Sequence, residues 1–320
     1  MKDIVNWHYK KYPLMTDQDL YKLILQSEIV GSHLISSSLL SLQYLNDETN
    51  KLQPMYQDLY EYIGNNYLRV YLRPYAKYKL NLEYLNEAFV STVNNNHGKK
   101  ESFMNRLTEF DLKDEYSSHH SKIYSDNYFP NYRVIKNQYL TDEMRYIQIH
   151  NFISNIDKPS IISLEGKCGA GKTTITNKLK DSLDVTIINI DDFFLPQERK
   201  TKARLKEIGG NIDYERIYDL LESLTQSKNI TYFRFNCSNS TYEKVNLKSR
   251  NIIILEGVYS YHPYFRKFID KLIYLDINSE TQIKRLQSRT NYNRFVSEWI
   301  PLENKYFDSE NIKYLADIIV

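Results

Sequence analysis

Apolar residues between positions 14 and 90 recur at the three- and four-residue spacing of amphipathic helices. In the stretch DQDLYKLILQSEIV, the residues Leu20, Leu23 and Ile24 lie on one mixed face. Thr16 precedes this run and is a typical N-cap residue. No clear alternation of polar and apolar residues is present in this part of the chain. The pattern therefore predicts a mainly helical N-terminal domain.

The pattern changes after Lys158, where short continuous apolar runs alternate with helix-like segments. The runs are SIISLEG, VTIINIDD, ITYFRF, NIIILEG, KLIYLDI and ADIIV. Runs of Ile, Val and Leu without alternation are typical of strands that are buried on both faces of a parallel sheet. We predict an α/β domain over residues 141–320, with a parallel five-stranded sheet flanked by helices. Residues 1–140 form the helical domain, for which the sequence indicates no role.

The composition and net charge of the chain mainly argue against particular classes of function. The chain has 320 residues, enough for two domains, and a formal charge of +2 gives no reason to expect a nucleic-acid or membrane partner. Two cysteines cannot form a disulfide framework, and the N-terminus lacks the order of a signal peptide. We therefore expect a cytoplasmic protein, and a homo-oligomer is compatible with the sequence.

The candidate chemistry begins in a glycine-rich stretch. Residues 166–173 read GKCGAGKT and fit the phosphate-loop pattern G-x-x-x-x-G-K-[ST] between a strand-like and a helix-like run. Glycines let backbone N–H groups turn inward to surround phosphate oxygens, and the following helix points its positive end at the same place. We expect this loop to bind ATP, with Mg²⁺ on a hydroxyl. The predicted nucleotide-binding residues are Gly166, Gly169, Ala170, Gly171, Lys172, Thr173 and Thr174.

Acidic residues follow two of the predicted strands. Asp191 and Asp192 come directly after VTIINI, and Glu256 ends NIIILEG. Ligands of an open parallel sheet lie beyond the carboxyl ends of its strands, so these carboxylates should face the terminal phosphate. One aspartate would orient and deprotonate an attacking hydroxyl, while the other would help to hold Mg²⁺ with Thr173 and Glu256. The sequence leaves open which aspartate is the base.

Several segments in the second half resemble a known family. GKCGAGKTT, NIDDFFLP, GGNIDYERIYDLL, ILEGVYSYHP, DKLIYLDINSETQIKRLQSR and WIPLENKYF…ADIIV occur in the order and spacing of the uridine kinase and phosphoribulokinase family of P-loop kinases. The resemblance covers about residues 160–320. It implies transfer of a phosphoryl group from ATP to the hydroxyl of a small-molecule alcohol.

Matched by motif position, the resemblance also implies roles for individual residues. Asp191 corresponds to the family's base and ribose contact, Lys172 to the phosphate-loop lysine and Glu256 to the Walker-B-like acid. Arg289 and Arg294 fall in the segment that forms a lid with arginines that clamp the transferring group. The remaining candidate substrate residues are Asp213, Tyr214 and His262.

The segment that would identify the acceptor departs from the uridine kinases. Those enzymes read the pyrimidine with a Tyr-Asp pair and a histidine, where this chain has Phe233 and Arg234, followed by Ser238 or Asn239. The acceptor therefore stays open between a nucleoside or related riboside and a vitamin, amino alcohol or sugar phosphate. The helical half leaves a further alternative, a regulatory or binding module whose state depends on the nucleotide.

Overall fold

The computed structural model describes residues 1–30, 37–55, 57–95, 98 and 100–320. The chain divides into two compact units, residues 1–152 and 153–320. The domain limit at residues 140 and 141 stays a prediction, and the predicted helical stretch at residues 31–36 lies outside the described residues. No helix in the described ranges is both long and apolar enough to cross a membrane.

The first unit combines helices with a small sheet. Its helices are α1 (Lys2–Lys11), α2 (Asp17–Glu28), α3 (Ser38–Lys51), α4 (Leu72–Lys77), α5 (Leu82–Asn94), α6 (Lys100–Glu109), α7 (Lys122–Tyr128) and α8 (Asp142–Ser154), which runs across the division. Its strands are β1 (Tyr60–Gly64), β2 (Tyr67–Tyr71) and β3 (Tyr132–Lys136). The many helices confirm the mainly helical prediction, and Thr16 caps α2 in a capping box with Asp19.

The sheet of the first unit is a feature that the sequence pattern did not predict. Strands β1, β2 and β3 pair antiparallel in that order. Every residue of β1 and β2 is buried, so the polar and apolar alternation that signals a half-exposed strand is missing. The turn between β1 and β2 contains Asn65 and Asn66, both with positive φ, a conformation that asparagine tolerates better than most residues.

The second unit alternates strands and helices. Its strands are β4 (Ser160–Gly166), β5 (Val185–Asn189), β6 (Asn229–Asn236), β7 (Thr241–Lys248), β8 (Ile252–Glu256), β9 (Lys271–Leu275) and β10 (Ile318–Ile319). Its helices are α9 (Lys172–Ser182), α10 (Tyr214–Gln226), α11 (Ser279–Leu286), α12 (Tyr292–Arg294), α13 (Ile300–Glu310) and α14 (Ile312–Leu315). A π-helical turn, Phe295–Trp299, joins α12 to α13.

Within the described residues, five strands of this unit form one parallel sheet in the order β10-β9-β4-β8-β5. This confirms the predicted parallel α/β sheet flanked by helices. Central β4 carries Ile162 and Leu164 into the core, and neither side chain is exposed. Because all five strands run in one direction, the loops after β4, β5 and β8 meet at the same edge.

The prediction for ITYFRF was wrong in its placement. This run lies in β6, which pairs only with β7 as an antiparallel hairpin outside the parallel sheet. Most side chains of β6 are exposed or half-buried, including that of Phe233. The run contains Thr231 and Arg234 among its apolar residues, so it is less continuously apolar than the strands of the parallel sheet.

Candidate active site

The phosphate loop joins β4 to α9 and depends on three glycines with positive φ. Gly166, Gly169 and Gly171 have φ values of 146°, 79° and 100°, a region that other residues seldom adopt. At Gly166 a side chain is also excluded by space, since a Cβ would lie 2.6 Å from the carbonyl oxygen of Leu275. Gly171 is the N-cap of α9. The loop therefore depends on glycine at these positions and leads directly into α9.

Lys172 is the first residue of α9 and folds back over the loop. Its Nζ donates to the carbonyl oxygens of Gly166 at 2.6 Å and Lys167 at 3.1 Å. The residue is only 8% exposed. No carboxylate lies within ion-pair distance of Lys172 in the described part of the chain, so its charge is directed at the loop rather than neutralised by a partner.

Thr173 and Glu256 bring a hydroxyl and a carboxylate together at the edge of the sheet. Thr173 Oγ1 donates to Glu256 Oε1 at 3.3 Å, joining α9 to the end of β8. Burial raises the pKa of Glu256, and nearby Lys172 opposes that shift. Gly257 follows with a φ of 141°, where a Cβ would lie 2.8 Å from the side chain of Ile190. That packing brings the ends of β5 and β8 close together.

The two aspartates after β5 lie in different surroundings. Asp191 lines the same pocket as Lys172 and Glu256. Its side chain is open to the pocket, yet crowding by protein atoms raises its pKa, an effect that Lys172 opposes and Asp192 adds to. Asp192 points toward the hairpin, where its Oδ2 accepts from Tyr232 Oη at 3.0 Å. Of the two, Asp191 is the one that faces the phosphate loop.

One pocket brings together most of the residues predicted from the strand ends and the loop. Predicted residues on its wall are Gly169, Gly171, Lys172, Thr173, Thr174, Asp191, Glu256 and Arg289. Predicted residues that do not line it are Gly166, Ala170, Asp192, Asp213, Tyr214, His262 and Arg294. The further wall is apolar and aromatic and comes from the loops after β5 and β8 and from the segment around α13.

Of the two arginines predicted to belong to the lid, Arg289 lines the pocket and Arg294 does not. Arg289 is exposed on the pocket wall, with its guanidinium 5.6 Å from the centre of the Phe295 ring. Arg294 lies outside the pocket, where its Nε donates to Glu298 Oε2 at 2.8 Å. A third arginine, Arg285 of α11, donates to the carbonyl oxygen of Gly169 at 3.1 Å. Arg285 and Arg289 are thus the arginines beside the loop, and the role of Arg294 as a clamp stays a prediction.

The three remaining candidate substrate residues have structural partners of their own. Asp213 is 1% exposed, caps α10 by accepting from the backbone of Arg216, and pairs with Arg199. The ring of Tyr214 stacks on His262 with centroids 4.8 Å apart. Helix capping and stacking are structural tasks. The contacts therefore give these residues a structural explanation, and their contact with a substrate stays a prediction.

His262 has both ring nitrogens engaged. Its Nδ1 accepts from the backbone of Tyr264 at 3.2 Å, which leaves Nε2 to donate to the carbonyl oxygen of Ile208 at 2.9 Å. Burial lowers the pKa of His262, so the neutral ring is favoured. The ring holds the loop around residue 208 against the segment after β8.

Two glutamates at this site are absent from the predictions. Glu165, the last residue but one of β4, has no exposed surface and accepts from the backbone of Gly166 at 3.1 Å. Glu303 of α13 accepts from the backbone of Cys168 at 2.9 Å and lines the pocket. Glu165 does have a local signal, because it is an acidic residue within an apolar run of the sequence. Glu303 carries no local signal, because it lies 135 residues from its partner.

A phosphate loop between the first strand and helix of a parallel sheet, with acids at the neighbouring strand ends, defines the second unit as an α/β unit of the P-loop type. Residues 161–295 match the Phosphoribulokinase / Uridine kinase family. The match confirms, for this part of the second unit, the family resemblance that the sequence motifs predict.

Curated relatives cover the same half of the chain. A uridine kinase from Macrococcus caseolyticus is 26% identical over 185 residues, which are 52% of this chain and 89% of that protein. A uridine kinase from Staphylococcus aureus is 25% identical over 183 residues, 50% of this chain and 86% of that one. A solved structure of a possible uridine kinase from Bacillus stearothermophilus covers 55% of this chain and 97% of its own, with 20% identity and a TM-score of 0.47.

Proposed function

We propose that the second unit is an ATP-dependent small-molecule kinase that transfers the γ-phosphoryl group to an alcohol hydroxyl. The observation that carries the proposal is one pocket shared by Lys172, the Thr173–Glu256 pair and Asp191. A cation, a hydroxyl–carboxylate pair and a second carboxylate beside a phosphate loop are the parts that phosphoryl transfer needs.

The residues of the phosphate loop fit a nucleoside triphosphate. A Cβ at Gly166 would collide with the backbone of Leu275, and Gly169 and Gly171, which line the pocket, have positive φ values that other residues seldom adopt. The pocket accepts negative charge at the N-terminus of α9, where Lys172 adds a full positive charge. This arrangement supports ATP as the phosphoryl donor.

The residues also fit Mg²⁺. Thr173 and Glu256 offer a hydroxyl and a carboxylate oxygen 3.3 Å apart, and Mg²⁺ is usually bound by one or two protein oxygens together with water and phosphate. The described residues hold no group of three metal-ligating side chains, which agrees with a metal held partly by the nucleotide. When bound, Mg²⁺ neutralises charge on the phosphates.

Asp191 would act on the acceptor. Its carboxylate is open to the pocket and has a raised pKa, which brings it closer to the range in which a base can take a proton near neutral pH. We propose that Asp191 orients the acceptor hydroxyl and receives its proton as the hydroxyl attacks the γ-phosphorus. Lys172 and Arg289 lie on the same pocket wall, where they would offset the charge on the transferring oxygens.

The uridine kinase relatives make a nucleoside or related riboside the first acceptor to test. Tyr232 of the hairpin stacks on Phe193 with ring centroids 5.5 Å apart. Phe193 is only 1% exposed, so this pair packs the hairpin against the turn after β5 and does not indicate an acceptor. Phe233 is half-exposed, and Arg234 is paired with Glu243, so neither copies the Tyr-Asp pair of the uridine kinases. A vitamin, amino alcohol or sugar phosphate is the alternative.

The test is a kinase screen on the full chain with ATP and Mg²⁺ against nucleosides, ribosides, pantothenate, amino alcohols and sugar phosphates. For the best acceptor, Asp191→Asn should lower kcat by about 10²- to 10⁴-fold, the usual contribution of a positioned general base. ATP affinity should stay within a factor of about three, since Asp191 binds the acceptor side. Asp219→Asn, on exposed α10, is the matched control and should keep full activity.

Two outcomes would contradict the proposal. Full activity of Asp191→Asn would reject the assignment of the base. A rate of ATP turnover that no small alcohol changes, but that a macromolecular partner increases, would favour a nucleotide-dependent regulatory module instead.

A further inference from the structure

The further inference concerns Glu303, an acidic side chain that lies against the phosphate loop. Glu303 is 6% exposed and sits in the first turn of α13. Its Oε2 accepts from the backbone N–H of Cys168 at 2.9 Å. Cys168 is the third residue of the loop, so the carboxylate occupies one of the loop's amide hydrogens, and both residues line the pocket.

The contact is part of a built arrangement. Gln282 of α11 donates from Nε2 to the carbonyl oxygen of Cys168 at 3.1 Å, so the peptide groups on both sides of Cys168 are held. One turn after Glu303, Tyr306 donates from its hydroxyl to Glu165 at 3.0 Å. Residues three apart lie on one helix face, so α13 is fastened to the start of the loop at two points. The position of Glu303 is therefore set by its surroundings.

The charge of Glu303 is unusual for this place. Loop N–H groups and the start of a helix attract anions, and the triphosphate proposed to bind there carries several negative charges. In the described residues Glu303 has no cationic partner within ion-pair distance. Burial raises its pKa, which indicates that the ionised carboxylate is incompletely compensated. A second anion in the same pocket should meet direct repulsion.

We propose that the Glu303 carboxylate competes with the phosphates of ATP for the amide hydrogens of the loop and thereby limits nucleotide affinity. The inference rests on the proposed ATP site of the second unit and adds a residue that tunes it. Leu302 of α13 and Trp299, the N-cap residue before it, also line the pocket, so Glu303 lies on the wall that the proposed triphosphate would face.

Calorimetric titration of the full-length chain with ATP and Mg²⁺ at pH 8 tests this directly. Glu303→Gln keeps an oxygen that can accept from Cys168 but removes the charge, whereas Glu303→Ala removes both. Both variants should bind ATP about tenfold more tightly than the unchanged protein. Their affinity for adenosine, which has no phosphates, should stay within a factor of about two.

Glu310→Gln is the matched control, because it makes the same change on the same helix at a residue paired with Arg266. It should leave the affinity for ATP unchanged. Unchanged or weaker ATP binding by Glu303→Gln would overturn the inference. Weaker binding by Glu303→Ala alone, with a lower melting temperature, would give Glu303 a purely structural role and would overturn it too.

The result also separates this inference from the proposed function. If neither the unchanged protein nor any variant binds ATP, the proposed kinase site fails and the role of Glu303 fails with it. If ATP binds and the charge of Glu303 has no effect, only the role of Glu303 is lost. ATP binding by Glu303→Gln alone would support both.

Discussion

Glu61 of the first unit and Glu256 of the second are both buried carboxylates, but their surroundings differ in opposite directions. In the first unit, Glu61 of β1 has no exposed side-chain surface and accepts from Lys11, Tyr12 and Arg69. Despite its burial, these partners, with Lys11 foremost, hold the pKa of Glu61 well below its usual range. In the second unit, Glu256 is buried with Thr173 as its hydrogen-bond donor, and its pKa rises.

The difference separates a structural use of buried charge from a functional one. A carboxylate whose neighbours are cations and donors stays ionised and holds the strands and helices around it. Carboxylates that line a pocket with few hydrogen-bond donors keep oxygen lone pairs available for a ligand that enters the pocket. On this basis Glu61 belongs to the framework of the first unit, and Asp191 and Glu256 belong to a site.

The largest effect should come from removing the charge at the centre of the pocket. Lys172→Met keeps the length of the side chain but removes the ammonium group that donates to Gly166 and Lys167. Phosphoryl transfer should fall about 10³-fold, equal to about 4 kcal/mol of barrier. Initial rates with the best acceptor measure the loss. Lys180→Met, exposed on the same helix, is the control.

If Lys172 belonged to the framework as Glu61 does, the same variant would lose stability rather than rate. The melting temperature of Lys172→Met should therefore stay close to that of the unchanged protein. A large fall in melting temperature with little change in rate would break the distinction between the two clusters.

The next effect concerns stability in the first unit. Glu61→Ala leaves the buried Arg69 without its carboxylate, while Lys11 keeps its ion pair with Asp58. The loss should lower the free energy of unfolding by about 3–5 kcal/mol. Urea denaturation measures this. The double variant Glu61→Leu with Arg69→Met should recover most of the loss, because replacing a buried pair by apolar residues is often neutral. Failure to recover would mean that the pair itself, rather than the orphaned charge, supplies the stability.

The sequence predicts the phosphate loop well because all its determinants are local. Gly166, Gly171, Lys172 and Thr173 lie within one short stretch, and each is required by backbone conformation or by phosphate chemistry. Asp191 and Glu256 are also readable, because they follow apolar runs whose carboxyl ends share an edge in a parallel sheet. Strand direction alone brings these residues to one pocket.

The features that the sequence missed depend on contacts between distant residues. Glu303 reaches Cys168 across 135 positions, and nothing near it in the chain marks it as a pocket residue. The sequence pattern does not predict strands β1 and β2, because both faces of each strand are buried. A regular alternation of polar and apolar residues is therefore missing. The motif position of Asp213 predicts a contact with the substrate, but its carboxylate caps α10 and pairs with Arg199. Motif position cannot separate a substrate contact from a cap.

The smallest predicted effect tests Glu165, which stands between the two kinds of carboxylate. It is fully buried and accepts from Gly166, Tyr261 and Tyr306, yet burial raises its pKa to about 7. Because this pKa exceeds the ordinary value of 4.5, the folded protein binds more protons than the unfolded chain between pH 4.5 and about 7. The free energy of unfolding should therefore fall as the pH rises through this range. From pH 5 to pH 8 the free energy of unfolding should drop by about 2–3 kcal/mol more in the unchanged protein than in Glu165→Gln. Urea denaturation at both pH values measures the difference, to which the other raised carboxylates contribute equally in both proteins. Parallel losses in the two proteins would show that Glu165 is ionised throughout and belongs with Glu61.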